Sequence, residues 1–255
     1  IMGFPGVVNN QNVDGYRSIT VPGAVAGLSE AQQKYGRLGF DNVLQSAIDL
    51  AEQGLPVDWF TNLQISLTAA ELSKFKASSD VYLPSGFPPQ PEQVLDLGNL
   101  KKTLRSLSEN GPDEFYRGNI ANELVADLNE GGSCITLEDL HNYIPLESEP
   151  LRGRHRGHDL YTPGVTSGGQ RLNDALEYVE KNLNHRDPLG ANTYISYAKA
   201  LNKAFKSHKE KLGRTINHGC TSHMSAVDSE GNMVALTYTL LNRFGSKVVL
   251  PRTGI

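Results

Sequence analysis

The chain has 255 residues, a formal net charge of -4 and a sequence pI near 6.0, which argues against nucleic acid and anionic membranes as partners attracted by bulk charge. With 38% hydrophobic and 20% charged residues, the composition is typical of a globular protein with a sizeable core. No apolar run approaches the roughly 20 residues needed to cross a bilayer, and no signal-peptide pattern opens the sequence.

The sequence leaves the cellular compartment open. Two cysteines, Cys134 and Cys220, fit one disulfide in an oxidising compartment and fit two free thiols in a reducing one. Periplasmic, extracellular and cytoplasmic locations are therefore equally compatible with the chain. Because the sequence starts at Ile1 and stops straight after a strand-like run, we expect it to be an excerpt of a longer protein.

Helices are predicted through the first half of the chain. Ser29 can cap a helix that ends near Tyr35, and Thr136 followed by Asp139 indicates a short helix start. A proline-rich stretch from Val81 to Gln93 is interpreted as a surface crossing. Apolar residues at helical spacing, each set followed by a glycine-containing stop, mark three more helices: Leu44, Ala47, Ile48 and Ala51; Leu100, Leu104 and Leu107; Ile120, Leu124, Val125 and Leu128.

The second half opens with an alternating basic stretch, which predicts one exposed strand running into the core; its basic residues are Arg152, Arg154, Arg156 and His158. A solvated strand face is favoured over phosphate binding. The stretch 167–169 can cradle an anion at a helix start or simply cap that helix. Two further helices are predicted, one marked from Leu172 to Val179 and a long one from Tyr194 to Leu212. No linker is apparent, so we expect one interleaved domain.

The most informative stretch begins at Thr221. Residues 221–227 and 233–239 alternate polar with apolar side chains around a turn, which predicts a β-hairpin. A register symmetric about the turn pairs Val227 with Met233, Ser225 with Ala235, His223 with Thr237, and Thr221 with Thr239. Directly opposed residues have Cβ atoms about 5 Å apart, so Thr239 can hydrogen-bond the Thr221 hydroxyl. A slip of one residue would move Thr239 to the other face.

The chemistry of Thr221 depends on its backbone nitrogen. A threonine hydroxyl is a poor nucleophile unless a base lies beside it, and one solution uses the residue's own α-amino group, with an ordinary pKa of about 7.7 to 8.0. Here that nitrogen is an amide until the Cys220–Thr221 bond is cut. We therefore interpret the chain as a precursor, or as two subunits written as one, with Thr221 as a latent nucleophile.

Dense, colinear motifs surround Thr221: Thr221-Ser222-His223-Met224-Ser225, Val227-Asp228, Gly231-Asn232, Thr237, Thr239, Phe244-Gly245-Ser246, Pro251 and Thr253-Gly254-Ile255. They resemble the small-subunit start of the γ-glutamyltranspeptidase family. Upstream motifs resemble its large subunit in the same order: Val21-Pro22-Gly23 with Gly27, Lys34-Tyr35-Gly36, Ala47-Ile48 with Ala51, Gly111-Pro112 with Phe115-Tyr116-Arg117-Gly118, Thr136 with Glu138-Asp139-Leu140, and Ser167-Gly168-Gly169. The resemblance covers nearly the whole chain and indicates a divergent branch.

The resemblance implies an α+β fold of the N-terminal-nucleophile hydrolase type, a four-layer αββα sandwich of which this chain is an incomplete part. It implies a proenzyme that cuts itself into a large-subunit part, 1–220, and a small-subunit part, 221–255. Thr221 would be the nucleophile, its freed amine the base and Thr239 its hydroxyl partner, with no metal or other cofactor. The substrate would be a γ-glutamyl amide such as glutathione, with water, an amino acid or a peptide as acceptor.

Other family site residues, including an arginine, an acidic residue, a serine pair and the oxyanion-hole glycines, are expected outside this excerpt. Many members also have an asparagine that contacts substrate two residues after the threonine matched by Thr239. Here Leu241 holds that position and Asn242 follows, so Asn242 is the candidate substrate contact. The segment before Thr221 is also shorter than in many relatives.

His223 shares a strand face with Thr221, but a strand neighbour at that spacing points parallel to the hydroxyl and not at it. We therefore favour a role for His223 in structure or processing over one as general base. Cys220 is interpreted as a small apolar filler that becomes a C-terminus after cleavage, and a reactive thiol is the alternative. Two other functions stay open: a glutaryl or cephalosporin-type acylase, suggested by Leu241, and a non-catalytic scaffold.

Overall fold

The structure, a computed structural model, describes residues 7–9, 11–164, 167–183, 188–212 and 221–255. Within these ranges the chain forms ten α-helices and six short strands. The helices are α1 Ala24–Tyr35, α2 Phe40–Gln53, α3 Trp59–Leu72, α4 Lys76–Tyr82, α5 Leu100–Asn110, α6 Asp113–Arg117, α7 Asn119–Glu130, α8 Leu137–His141, α9 Gly169–Asn182 and α10 Ala191–Leu212. The strands are β1 Leu55–Pro56, β2 Val94–Leu95, β3 Leu151–His155, β4 His158–Thr162, β5 Thr221–Val227 and β6 Met233–Thr239.

The strands pair into three separate antiparallel two-stranded sheets, β1 with β2, β3 with β4, and β5 with β6. By internal contacts the chain divides into two compact units. The first combines Ile1–Pro145 with His218–Ile255, and the second is Leu146–Asn217. This division follows packing, whereas the predicted boundary between 1–220 and 221–255 follows cleavage. The first unit draws on both sides of that boundary, which itself stays a prediction, as does the expectation of one interleaved domain.

The main core of the first unit surrounds α7, whose apolar face is buried as its spacing predicts. Its central buried residues are Leu107, Phe115, Ile120, Leu124, Leu128 and Leu140. The predicted helix start at Thr136 is confirmed, because the Thr136 hydroxyl accepts from the Asp139 N–H and the Asp139 carboxylate accepts from the Thr136 N–H.

The prediction that Ser29 caps the first helix is wrong. Helix α1 begins at Ala24, and the Ser29 hydroxyl donates to the Ala26 carbonyl within the helix, at 3.0 Å. A distant residue satisfies the start of the helix instead: the Ala26 N–H donates to the Tyr116 hydroxyl, which donates in turn to the Pro22 carbonyl. Local sequence gives no sign of a cap supplied from 90 residues away.

A second core in the first unit contains α3, which the periodicity does not predict. Ile65 and Leu72 of this helix are fully buried beside Leu95, while Phe60 and Leu67 on its other side are exposed. Apolar residues therefore lie around the whole helix and leave no single stripe to recognise. Helix α4 follows directly and carries Ser78, which is also fully buried.

In the second unit, the prediction of one continuous basic strand is wrong. The stretch forms a hairpin of β3 and β4, in which His155 pairs with His158 around a two-residue turn. Arg156 and Gly157 in that turn both have positive φ, of 51° and 83°, as the tight hairpin turn requires. Arg152 is exposed and its guanidinium lies over the cross-strand Tyr161 ring, 5.7 Å from the centroid. This packing fits the solvated face that the sequence favoured.

The rest of the second unit is a helix pair. Ala175 and Val179 of α9 pack against Ala200 and Ala204 of α10, whose small side chains let the helices approach closely. The long α10 helix confirms the prediction for this part of the chain. No helix among the described residues is both long and apolar enough to cross a bilayer.

The segment that follows β6 is joined to the helices of the first unit. The Arg252 guanidinium binds Glu130, with Nη2 2.6 Å from Oε1, and also contacts the fully buried Asp127 carboxylate. Asp127 accepts from the Arg252 backbone N–H as well, at 2.8 Å. The Thr103 hydroxyl donates to the Thr253 carbonyl at 2.6 Å. These bonds fix Arg252 and Thr253 to α5 and α7.

Candidate active site

The β5–β6 hairpin has the predicted register. Val227 pairs with Met233, Ser225 with Ala235, His223 with Thr237, and Thr221 with Thr239. The alternation of side chains and the glycine-containing turn were sufficient to determine it, because this register brings Thr221 and His223 opposite Thr239 and Thr237 on one face. Apart from Ser222, the opposite face is mainly apolar, and its members Met224, Val234 and Tyr238 are exposed in the described part of the chain.

The turn of the hairpin is fixed by the Asp228 carboxylate. Asp228 accepts from the side-chain amide of Asn232 at 2.8 Å and from the backbone N–H groups of Asn232 and Glu230, each at 2.9 Å. These bonds stabilise the charged form and lower the Asp228 pKa, the side-chain bond from Asn232 contributing most. Gly231 takes a φ of 85°, which favours glycine at this position.

A bidentate ion pair joins the hairpin tip to the loop between α1 and α2. The two terminal guanidinium nitrogens of Arg37 lie 3.0 and 2.6 Å from the Glu230 carboxylate oxygens. This bond lowers the Glu230 pKa and raises the Arg37 pKa. Both side chains are well exposed, so the pair orients the tip more than it stabilises the fold.

At the other end of the hairpin, the two threonine hydroxyls meet. Thr221 Oγ1 donates to Thr239 Oγ1 at 3.2 Å, and the Leu241 backbone N–H donates to the same Thr239 oxygen at 3.0 Å. Thr239 is therefore held from two sides, by the residue opposite and by the loop that follows. Cys220, the other half of the predicted cleavage site, lies outside the described residues. The roles of nucleophile and partner stay predictions.

His223 is directed away from Thr221. Its Nδ1 lies 2.7 Å from the Thr237 hydroxyl and its Nε2 lies 3.1 Å from the Ser225 hydroxyl, so both ring nitrogens have partners on the same face. This geometry agrees with the predicted direction of the side chain. The imidazole therefore supports the hydroxyl row, the hydroxyl groups of Thr221, Ser225, Thr237 and Thr239 on this face. The base for Thr221 has to be another group.

We expect His223→Ala to slow self-cleavage and turnover by less than about tenfold, because removing a true general base costs about 10²- to 10⁴-fold. The measurement is the half-time of conversion of precursor to two chains by intact mass, followed by initial rates. Thr237→Val, which removes a hydroxyl partner of the imidazole, should have a similarly small effect. A thousandfold loss of splitting and turnover rates in His223→Ala, but not in Thr237→Val, would instead identify the histidine as the base.

The loop after β6 departs from ordinary backbone geometry. Leu241 has a φ of 68°, in the left-handed region, where a leucine costs about 1 to 2 kcal/mol relative to a relaxed conformation. Asparagine tolerates this region better than leucine. Asn242 donates its backbone N–H to the Leu240 carbonyl at 2.9 Å and its side chain is half-buried. Its predicted role in substrate binding stays a prediction.

Sequence reasoning missed Lys247, a buried lysine in the same loop. Its only local signal was a charged residue between Phe244-Gly245-Ser246 and an apolar run, where burial is not evident. No group of three or more histidine, cysteine, aspartate or glutamate side chains suited to a metal occurs among the residues that the structure describes.

Comparison with known proteins identifies relatives of this chain. A family model described as gamma-glutamyltranspeptidase matches residues 5–214 and 191–255. The glutathione hydrolase proenzyme of Escherichia coli is 32% identical over 294 aligned positions, which cover 96% of this chain and 51% of that protein. The alignment is longer than the chain itself, as expected if relatives contain residues that this chain lacks.

Two solved structures share the fold. The cephalosporin acylase from Bacillus halodurans superposes with a TM-score of 0.82 at 25% identity, covering 95% of this chain and 52% of that one. The gamma-glutamyltranspeptidase from Helicobacter pylori superposes with a TM-score of 0.76 at 26% identity, covering 81% and 60%.

The fold is thus that of the N-terminal-nucleophile hydrolases, and the predicted α+β class is confirmed. More narrowly, the chain belongs to the γ-glutamyltranspeptidase family, which confirms the resemblance seen in its motifs. It spans about half the length of the curated relatives it matches.

Proposed function

We propose that the protein containing this chain is a self-processing γ-glutamyl transferase and hydrolase that cleaves γ-glutamyl amides such as glutathione. The observation that carries this proposal is the 3.2 Å hydroxyl pair of Thr221 and Thr239, placed at the start of β5 in a chain of this family. No metal or other cofactor is required for the proposed reaction.

Cleavage of the Cys220–Thr221 bond would come first. The Thr221 hydroxyl attacks the Cys220 carbonyl, the peptide nitrogen leaves as the amine of Thr221, and water then hydrolyses the ester that forms. The products are a carboxylate on Cys220 and a free amine on Thr221. The two resulting chains, 1–220 and 221–255 with whatever follows, form the large and small subunits of one precursor.

The freed amine would then act as the base for the enzymatic reaction. With an ordinary pKa of about 7.7 to 8.0, it is partly neutral near pH 7 and can accept the hydroxyl proton. Thr221 Oγ1 attacks the γ-carbonyl, and the Thr221 amine passes the hydroxyl proton to the amide nitrogen. The C–N bond of the γ-amide then breaks, the amine that it held leaves, and an acyl-enzyme remains. Water, an amino acid or a peptide then takes the acyl group and returns the proton.

A second candidate, a glutaryl or cephalosporin-type acylase, is favoured by one observation in particular. Leu241 holds the position at which the family resemblance implies an asparagine that contacts the substrate, and both it and the preceding Leu240 are exposed. An apolar side chain at this position suits an acyl group with fewer polar groups to bind, such as glutaryl. The fold similarity to the Bacillus halodurans cephalosporin acylase is consistent with it.

A matched pair of anilides tests the choice. We expect the processed protein to release aniline from a γ-glutamyl anilide at least about tenfold faster than from the glutaryl anilide, which differs only by the amine. Leu241→Asn should raise the γ-glutamyl rate about fivefold, the worth of one hydrogen bond of about 1 kcal/mol, and relax the backbone. Leu240→Asn is the matched control. Release from the glutaryl compound alone would instead establish the acylase.

A further inference from the structure

Lys247 is buried in the loop that follows the hydroxyl pair, with 7% of its surface exposed. Its ammonium lies 2.9 Å from Oδ1 of Asp14 and donates to the Gly245 carbonyl at 2.8 Å. A buried ammonium is strongly unfavourable without such partners. Asp14 is 233 residues away in sequence, so this ion pair joins the start of the chain to the loop.

The backbone at Lys247 is fixed as firmly as its side chain. Its φ of 67° lies in the left-handed region, which L-residues adopt only when the surroundings enforce it. The fully buried Ser78 hydroxyl donates to the Lys247 carbonyl at 2.7 Å and accepts from the Val249 N–H at 2.9 Å. The Gly15 N–H donates to the Ser246 carbonyl at 2.8 Å. Two chain segments therefore hold this end of the loop.

A short series of contacts connects Lys247 to the hydroxyl pair. The Gly245 N–H donates to the Asn242 carbonyl at 2.9 Å. Gly245 also packs closely on Leu240, since a Cβ at Gly245 would lie 3.1 Å from the Leu240 Cβ. At the other end of this compact loop, the Leu241 N–H donates to Thr239 Oγ1. The orientation of the Thr239 hydroxyl thus depends on how the loop 240–247 is held.

We propose that Lys247 and Asp14 are a positioning pair that fixes the loop 240–247 and, through the Leu241 N–H, orients the Thr239 hydroxyl toward Thr221. The pair does not touch substrate and acts only through the loop. The inference rests on the proposed function, because it assigns the pair a part in the Thr221 reactions. It also makes a claim about the loop that does not depend on activity.

The test compares Lys247→Met, Asp14→Asn and the double variant with wild type in the complete protein. Methionine keeps the length of the side chain and removes the ammonium, and asparagine keeps the shape of Asp14. Lys247→Arg is the conservative variant. Lys76→Met is the matched control, because it removes a lysine from an exposed ion pair with Asp80 elsewhere in the same unit.

The first readout is the rate at which trypsin cuts the folded protein after the exposed Arg243, inside the loop. We expect Lys247→Met to speed this cut by about tenfold or more, because loss of a buried partner raises the population of the open loop. The second readout is catalysis: precursor splitting, which needs no substrate, and kcat should both fall about tenfold, and KM should change by less than kcat, because the loop orients a hydroxyl that is needed for the reaction step itself. Lys247→Arg should recover most of the loss.

The outcomes separate this inference from the proposed function. If the wild-type precursor splits but the product releases nothing from any γ-glutamyl compound, the proposed substrate is wrong. The rates of tryptic cutting and of precursor splitting in the variants would then still test the Lys247–Asp14 pair. Tryptic cutting and splitting at wild-type rates in Lys247→Met would overturn the pair whatever the substrate. If Lys247→Met does not fold by circular dichroism, Asp14→Asn carries the same expectation. A double variant no worse than the worse single variant supports direct coupling.

Discussion

Thr221→Ala is expected to leave the chain uncut between Cys220 and Thr221 and to reduce turnover by at least about 10⁴-fold, because losing a covalent nucleophile removes the acyl-enzyme route altogether. The measurement is intact mass of the complete protein after prolonged incubation, followed by anilide release. Wild type should give two chains, the smaller beginning at Thr221, and the variant a single chain.

Two controls sharpen this experiment. Ser222→Ala removes the neighbouring hydroxyl on the opposite face of β5 and should split and turn over normally. Thr221→Ser keeps a hydroxyl and should split, more slowly, since serine lacks the methyl group that restricts the side-chain rotamer. Splitting of Thr221→Ala at the same bond, or a wild type that stays whole, would remove Thr221 as nucleophile. An intact, inactive wild type would favour the non-catalytic scaffold.

Thr239→Val is expected to have the second largest effect, a fall of about 10- to 100-fold in both splitting and kcat. Valine keeps the branched shape and the strand preference of threonine, so the change removes only the hydroxyl that accepts from Thr221 and from the Leu241 N–H at 3.2 and 3.0 Å. Removing one buried or preorganised hydrogen-bond partner costs about 1 to 3 kcal/mol.

The matched control for that variant is Thr237→Val, two residues earlier on the same strand face and paired with His223. It should leave kcat within about threefold of wild type, as expected for a change that spares the reacting hydroxyls. Equal losses in Thr237→Val and Thr239→Val would mean that the whole hydroxyl row matters and that Thr239 has no special place beside Thr221. The readout is the same splitting assay, with kcat and KM determined separately.

The candidate active site is exposed, whereas the segment that follows it is well packed. Thr221 and nearly all its neighbours on β5 and β6 are exposed, and the hairpin's apolar face is uncovered by the residues described. The segment after the hairpin, in contrast, is anchored by the bonds of Ser78 and Lys247 and by the ion pairs of Arg252 with Asp127 and Glu130. The hydroxyl pair is thus placed by the anchored segment that follows the hairpin. The acyl pocket that the proposal requires would be completed by other parts of the protein.

The errors of sequence reasoning share a physical origin. A serine before an acidic residue looked like a helix cap at Ser29, but α1 begins at Ala24, where the Ala26 N–H donates to the Tyr116 hydroxyl. The alternating arginines looked like one strand, but positive φ values at Arg156 and Gly157 reverse the chain. In both cases a local preference was correct in kind, and the extent of the element depended on its neighbours.

Sequence alone determined the hairpin register, the Thr221–Thr239 pairing and most of the amphipathic helices, because these follow from periods of two and 3.6 residues and from local turn chemistry. Only the tertiary structure revealed the buried Lys247–Asp14 pair, the Tyr116 cap of α1 and the hydroxyl partners of the two His223 ring nitrogens. Such contacts join residues far apart in the chain or select one rotamer among several. Their energies arise from burial and geometry in the folded protein, which no local pattern contains.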